Sequence, residues 1–142
     1  MTRDPDQELL ALLSENARAT TAELARKLGL SRTTVQSRIE RLEARGVIAG
    51  YGVRLGEAYE RNLVKAHVLI TALPKLAPKV EAGLRAIRAV RTLHSVSGPF
   101  DMIAIVEAPS IGELDLLLDR IGGLEGVERT QSAIVLSTRI ER

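Results

Sequence analysis

The sequence predicts an α+β protein with two domains, on the strength of three observations. Two closely spaced stretches with helical periodicity and capping residues lie between residues 20 and 45. Four β-branched runs, separated by two helical patterns, fill residues 65–139. Between these regions, residues 57–62 (EAYERN) are polar and non-periodic, which is typical of a linker. We therefore assign residues 1–53 to an N-terminal domain, 54–63 to the linker and 64–142 to a C-terminal domain.

The first expected helix begins after Asp4, which can cap it, with Pro5 in the first helical position and Gln7 in the third. Its broad apolar side consists of Leu9, Leu10, Leu12 and Leu13. We expect this helix to lie behind the next two helices and to complete a three-helix core.

The second and third helices are expected to be joined by a tight turn. Thr20 and Glu23 form a capping box at the start of the second helix. Gly29 suits the left-handed residue that ends such a helix, and Ser31 is a good N-cap for the third. The apolar positions of the third helix, spaced i, i+4 and i+7, are Val35, Ile39 and Leu42. This pattern predicts a helix-turn-helix.

The outward side of the third helix is polar and basic, and the first turns of such a helix meet base edges in the major groove of DNA. Between residues 26 and 45 there are six basic and two acidic residues, a local excess suited to phosphates. The candidate DNA-contacting residues are Ser31, Arg32, Thr33, Gln36, Ser37, Arg38 and Arg41.

Within this set, Gln36 is expected to pair with adenine and Arg32 with guanine, each through two hydrogen bonds. Phosphate contacts are expected from Ser31, Arg38 and Arg41, which would position the helix without reading sequence. The alternative is an ordinary amphipathic helical hairpin with a solvated basic face.

After the third helix, the stretch VIAGYGVRL resembles short extended pieces interrupted by Gly50 and Gly52. It predicts a small hairpin or wing, which makes the N-terminal domain a winged-type helix-turn-helix. Arg54, near the end of this stretch, is either a contact to backbone phosphate or a solvated linker charge.

The C-terminal domain is expected to alternate strands and helices. The expected strands are residues 65–73, 90–97, 100–108 and 127–139, and the expected helices are residues 78–89 and a segment capped by Ser110. Right-handed crossovers turn this β-α-β-β-α-β order into a ferredoxin-like βαββαβ domain, a four-stranded antiparallel sheet with both helices on one face. The other face is apolar in places, which predicts an obligate homodimer through this domain.

Composition and motifs exclude several function classes. Aromatic residues make up 2% of the chain, which disfavours binders of single-stranded nucleic acid because those need stacking platforms. The chain has no cysteine, no signal-peptide core and no apolar run near the ~18–20 residues of a membrane span, so we expect a cytoplasmic protein without a membrane partner.

His67 and His94 have no neighbours at metal-ligand spacing. We find no catalytic constellation and expect no metal, no cofactor and no enzyme activity.

The whole chain resembles the Lrp/AsnC family of bacterial and archaeal transcription regulators. The resemblance rests on AELARKLGLSRTTVQSRIERLEARGVIAGY, on VSGPFD at residues 96–101 and on GVERTQS near the C-terminus. It implies an effector domain that dimerises through its sheets, further assembly into tetramers or octamers, and a small effector, commonly an amino acid, between subunits. The effector-contacting residues that it implies are Ser97, Gly98, Pro99, Phe100, Asp101, Thr130 and Ser132.

The chemistry of these residues suits an amino acid. Asp101 can receive the ammonium group, and Gly98, Thr130 and Ser132 can donate to the carboxylate. The alternatives are a turn-capping role for Asp101 and ordinary strand polarity for the two hydroxyls. Pro99 stands where many relatives carry a polar or charged residue, and it removes one N–H from the turn.

Taken together, the sequence predicts a sequence-specific, double-stranded-DNA-binding transcription regulator whose binding or assembly responds to a small effector. One alternative is an architectural DNA-binding protein without an effector. Another is a ferredoxin-like dimeric enzyme with His94 or Asp101 as its base, against which the helix-turn-helix argues because a catalytic dimer has no use for it.

Overall fold

A computed structural model describes residues 4–142 as two compact units, the first ending at Arg54 and the second comprising Leu55–Arg142. The first unit contains the helices α1 (Pro5–Glu15), α2 (Thr21–Leu28) and α3 (Arg32–Ala44). Their buried side chains form a single core, consisting of Leu9, Leu13, Leu24, Ala25, Val35 and Leu42. The predicted three-helix core is therefore confirmed.

The turn between α2 and α3 is held by the capping residues that the sequence predicts. The hydroxyl of Thr20 accepts a hydrogen bond from the backbone N–H of Glu23 at 3.1 Å. Gly29 ends α2 with a φ of 67°, in the left-handed region that glycine adopts without strain. Ser31 caps α3 by accepting from the N–H of Thr34 at 3.1 Å. The start of α3, and hence the register of its outward side, is set by these short-range contacts.

The segment that follows α3 differs from its prediction. Residues 47–55 contain no strand, so the expected hairpin is absent. Side chains hold the segment instead, because the hydroxyl of Tyr51 donates to Glu43 at 2.9 Å and Arg54 donates to the carbonyl of Glu15 at 3.4 Å. Two glycines within so short a segment weaken strand pairing, and Arg54 lies against the C-terminal end of α1.

The second unit has the predicted ferredoxin-like fold, with strand order β2-β3-β1-β4 and antiparallel pairing throughout. Its elements are α4 (Glu57–Glu60), β1 (Val64–Ala72), α5 (Ala77–Arg85), β2 (Val90–Ser95), β3 (Met102–Ala108), α6 (Ile111–Gly122) and β4 (Val127–Ile134). The short helix α4 occupies part of the expected linker. The last three strands are shorter than predicted, since residues 96–101 form the turn before β3 and residues 135–139 are not in a strand.

Alternation along β1 and β3 divides the sheet into two faces. On the covered face, Ala66, Val68 and Ile70 are fully buried and pack in one core with α5 and α6. The opposite, open face carries residues that are half-buried or exposed in the single chain: His67, Leu69, Thr71, Ile103, Ile105 and Glu107. Within the described residues, no helix is both long and apolar enough to cross a membrane.

Candidate nucleic-acid interface and effector turn

The outward side of α3 contains a shallow concavity of about 380 Å³. We call it the α3 concavity, and its lining residues are Thr21, Arg32, Thr33, Gln36, Ser37 and Glu40. Four of the seven candidate DNA-contacting residues thus lie together, and all four are exposed. They come from the first two turns of α3, the part of a recognition helix that reaches base edges.

Two side chains in or beside the α3 concavity, Gln36 and Ser31, already form hydrogen bonds within the protein. The side-chain Nε2 of Gln36 donates to an Oε1 oxygen of Glu40 at 3.0 Å. The hydroxyl of Ser31 caps the helix, and it also lies within hydrogen-bond distance of the hydroxyl of Thr34, at 2.7 Å. Ser31 therefore has a structural role within the protein, whereas Arg32 extends from an exposed first turn that contains no acidic residue.

The two remaining candidates are arginines with different surroundings. Arg41 is exposed. Arg38 is half-buried, and its Nη1 is buried without a hydrogen-bond partner in the part of the chain that the structure describes. It follows the buried Val35 by three residues and precedes the buried Leu42 by four, so it lies on the flank of α3 that borders the core. The structure does not bring Arg38 into the α3 concavity.

Sequence reasoning did not assign two members of the α3 concavity, Thr21 and Glu40. The i, i+4 spacing from Gln36 to Glu40 was a signal for their contact. Thr21 begins a different helix, so only the packing of α2 against α3 brings it to this surface.

The other acidic residue of α3, Glu43, is engaged by Tyr51. Desolvation of the phenol, followed by the hydrogen bond from it to Glu43 and the charge of that carboxylate, raises the pKa of Tyr51. The phenol therefore remains a donor at neutral pH. Glu43 is tied to the segment after α3, and Glu40 is the acidic residue that lines the α3 concavity.

In the second unit, Asp101 closes the turn that precedes β3. Its Oδ2 accepts from the backbone N–H of Ala72 at 2.9 Å, and its own N–H donates to the carbonyl of Ile70 at 2.9 Å. Gly98 within the turn has a φ of 110°, a conformation that L side chains rarely adopt. The turn-capping role considered for Asp101 is thus present in the structure.

Thr130 and Ser132 lie away from this turn within the single chain. They pair with Ile70 and Val68 of β1, so their side chains share the covered face of the sheet. Strand β1 separates their strand, β4, from β3, which follows the turn.

A groove of about 580 Å³ opens between α5 and the edge strand β2. Ser95 and Met102, which flank the turn on either side, are among its lining residues. The groove also contains the ion pair between Arg85 and Glu81, at 2.8 Å. Within the described residues, no cluster of three or more histidine, cysteine or acidic side chains is suited to a metal ion.

Comparison with known proteins gives matches to both units. A family model for winged helix-turn-helix DNA-binding domains matches residues 3–49, and the model of the Lrp/AsnC ligand binding domain matches residues 65–142. The HTH-type transcriptional regulator LrpA of Mycobacterium tuberculosis is 40% identical over 136 residues, which are 95% of this chain and 90% of that protein.

Solved structures are similar over the full length of the chain. E. coli AsnC matches with a TM-score of 0.88 and 26% identity, covering 100% of this chain and 97% of that one. A feast or famine regulatory protein from M. tuberculosis, complexed with L-methionine, matches with a TM-score of 0.86 and 38% identity, covering 99% and 96%.

Proposed function

Because this chain belongs to the Lrp/AsnC family of transcription regulators, we propose that it binds double-stranded DNA sequence-specifically through the exposed side of α3. The observation that carries the proposal is the α3 concavity, which presents Arg32, Thr33, Gln36 and Ser37 together on a recognition helix. Gln36 and Arg32 read base edges, whereas Arg41 holds phosphate. With DNA as the proposed partner, we also propose that the protein works in the cytoplasm.

Replacing Gln36 by alanine should affect one base position only. Loss of its two hydrogen bonds to adenine is expected to cost about 1–3 kcal/mol at that position and to relax the preference there. Arg41→Ala is the matched comparison, because removal of a phosphate contact weakens all sequences alike and lowers the slope of log affinity against log salt by about one. The measurement is a titration of a selected and a scrambled duplex at several salt concentrations. Equal losses on both duplexes, with unchanged slopes, for both variants would contradict these assignments.

We propose that the protein works as a homodimer joined through the open face, with tetramers or octamers as further assemblies. The open face is supported as the dimer surface by its half-buried aliphatic residues, Leu69, Ile103 and Ile105. A dimer presents two copies of α3, and these must match half-sites about 34–36 Å apart, or a multiple of that spacing. The dimer therefore links assembly to DNA binding.

We further propose that a small effector, in the first place an amino acid, modulates DNA binding or assembly. Support comes from the matched ligand-binding family model and from the relative that is complexed with L-methionine. Asp101 remains suited to an ammonium group, because a carboxylate accepts about four hydrogen bonds and Ala72 uses one. The turn residues Ser97 to Phe100, with Thr130 and Ser132 from another subunit, complete the proposed site. Such a ligand acts only if it binds two assembly states with different affinity.

A screen of the full-length protein against the twenty amino acids by thermal shift tests the effector. At a hundredfold excess over its dissociation constant, a bound amino acid stabilises the folded state by about 2.7 kcal/mol, which raises the melting temperature by several degrees. Asp101→Asn should abolish the shift while keeping an oxygen for the N–H of Ala72. Asp115→Asn, an exposed site on α6, should keep it. No shift with any amino acid would favour the architectural alternative.

LrpA of M. tuberculosis is named a transcriptional regulator, and we propose no catalytic activity for this chain. The helix-turn-helix unit has no use in a catalytic dimer. Of the two base residues of the enzyme alternative, Asp101 caps the end of β1 and His94 lies exposed on an edge strand.

A further inference from the structure

An acidic side chain lies in the α3 concavity, on a surface that is proposed to face DNA. Glu40 is exposed and lines this surface with Arg32 and Gln36. Phosphates repel a carboxylate, and phosphate contacts supply most of the affinity for DNA of any sequence. Glu40 therefore lowers the affinity of α3 for duplex DNA of any sequence. Any benefit of Glu40 for DNA binding must come through the residue that it contacts.

Its contact is the amide of Gln36, through the 3.0 Å hydrogen bond from Nε2 to Oε1. An ionised carboxylate only accepts hydrogen bonds, so it selects the NH2 end of the amide and leaves the carbonyl end facing elsewhere. Bonds to a charged acceptor are also shorter and stronger than neutral ones. Glu40 thus decides which way round the amide of Gln36 is held.

That orientation leaves Gln36 with the two groups that adenine requires. One N–H of Nε2 is used by Glu40, while the second N–H and the carbonyl oxygen are still available. Adenine presents N7 as an acceptor and the N6 amino group as a donor in the major groove. The pair can therefore read adenine while the Gln36–Glu40 bond is kept.

We propose that Glu40 determines specificity in this protein: its carboxylate positions the Gln36 amide for adenine, and its negative charge weakens binding to every sequence, so that tight binding depends on the hydrogen bonds to adenine. The inference rests on the proposed binding of DNA through α3. Specificity is a difference between two binding free energies. Charge repulsion is common to all duplexes and cancels in that difference, so the discrimination comes from the positioned amide of Gln36.

The experiment uses the full-length chain, a pool of randomised duplexes for selection, and then one selected and one unselected duplex for titration. Glu40→Ala removes both the acceptor and the charge, whereas Glu40→Gln removes the charge and keeps an amide oxygen as acceptor. Glu15→Gln makes the same charge change at an exposed site on α1 and serves as the control. Gln36→Ala identifies the base position that Gln36 reads.

At that position, Glu40→Ala is expected to lower the preference for adenine about 5- to 10-fold, and Glu40→Gln to retain most of it. Both variants are expected to bind the unselected duplex about 2- to 5-fold more tightly, because a repulsive charge is gone. In the Gln36→Ala background, Glu40→Ala should change the preference no further. Glu15→Gln should leave both measurements as in the wild type.

The proposal is overturned if Glu40→Ala enriches the same sequences as the wild type, which would leave the Gln36–Glu40 bond as a surface contact only. It is also overturned if the affinity for the unselected duplex responds equally to Glu40→Gln and Glu15→Gln. If the wild-type chain enriches no sequence at all, DNA reading by α3 fails together with the role of Glu40.

Discussion

Replacement of Gly126 by alanine is expected to destabilise the second unit by about 2–5 kcal/mol, combining backbone strain with overpacking of the core. Gly126 has a φ of 99°, and an added Cβ would lie 2.6 Å from the Cβ of Leu76 and 2.9 Å from Cγ2 of Val80. Val80 is fully buried, so neither neighbour can move aside cheaply. Gly126 also accepts a hydrogen bond from Leu73 at 2.8 Å, which limits any shift of its backbone.

Urea unfolding of the wild type, Gly126→Ala and Gly98→Ala separates the two contributions. Gly98 has a comparable φ of 110° with no atom within 4 Å of an added Cβ. Its replacement should cost only the strain of the backbone, about 1–2 kcal/mol. The difference between the two variants measures the cost of the contacts with Leu76 and Val80. Equal losses of stability would show that the core near Gly126 accommodates a methyl group freely.

Ile105→Glu is expected to raise the dissociation constant of the dimer by more than about 100-fold, because the proposed dimer would bury a charge among aliphatic side chains. Ile105 lies on the open face, opposite His67 of β1 and Thr92 of β2. In the single chain it is half-buried, and the proposed dimer covers it. Two joined copies of α3 are needed for paired half-sites. The loss of the dimer in Ile105→Glu should therefore also lower the affinity for a selected duplex.

Sedimentation velocity at micromolar concentration, together with a DNA titration, provides the readout for Ile105→Glu. The matched control is Leu116→Glu on α6, where the wild-type leucine is 69% exposed and the same charge stays in water. The control should remain dimeric and keep its affinity for DNA. A dimeric Ile105→Glu protein would exclude the open face as the subunit interface.

Helix boundaries in this protein follow from the sequence because their signals are local. Thr20, Ser31 and Ser110 each accept a hydrogen bond from the N–H three residues later. Such contacts depend only on nearby residues, so they can be recognised without knowledge of the fold. The strand order of the second unit was also predictable, since few connections satisfy the handedness of β-α-β crossovers.

The candidate site could be predicted only in part from such local signals. Helical spacing correctly predicted that Arg32 and Gln36 are exposed on α3, and the structure places them together. It did not reveal that Arg38 borders the core or that Thr21 joins the α3 concavity. Both features depend on how α2 and α3 pack, and that packing brings together residues that belong to different helices.

By itself, the sequence determined the helix caps, the ferredoxin-like topology and the polar side of α3. Tertiary structure alone decided that the segment after α3 is held by Tyr51 and Arg54 rather than by strand pairing. It also decided that Asp101 caps β1 while Thr130 lies on the covered face. The physical reason is the range of the interactions: caps and periodicity act within a few residues, whereas these side chains are placed by partners that only the folded chain brings near.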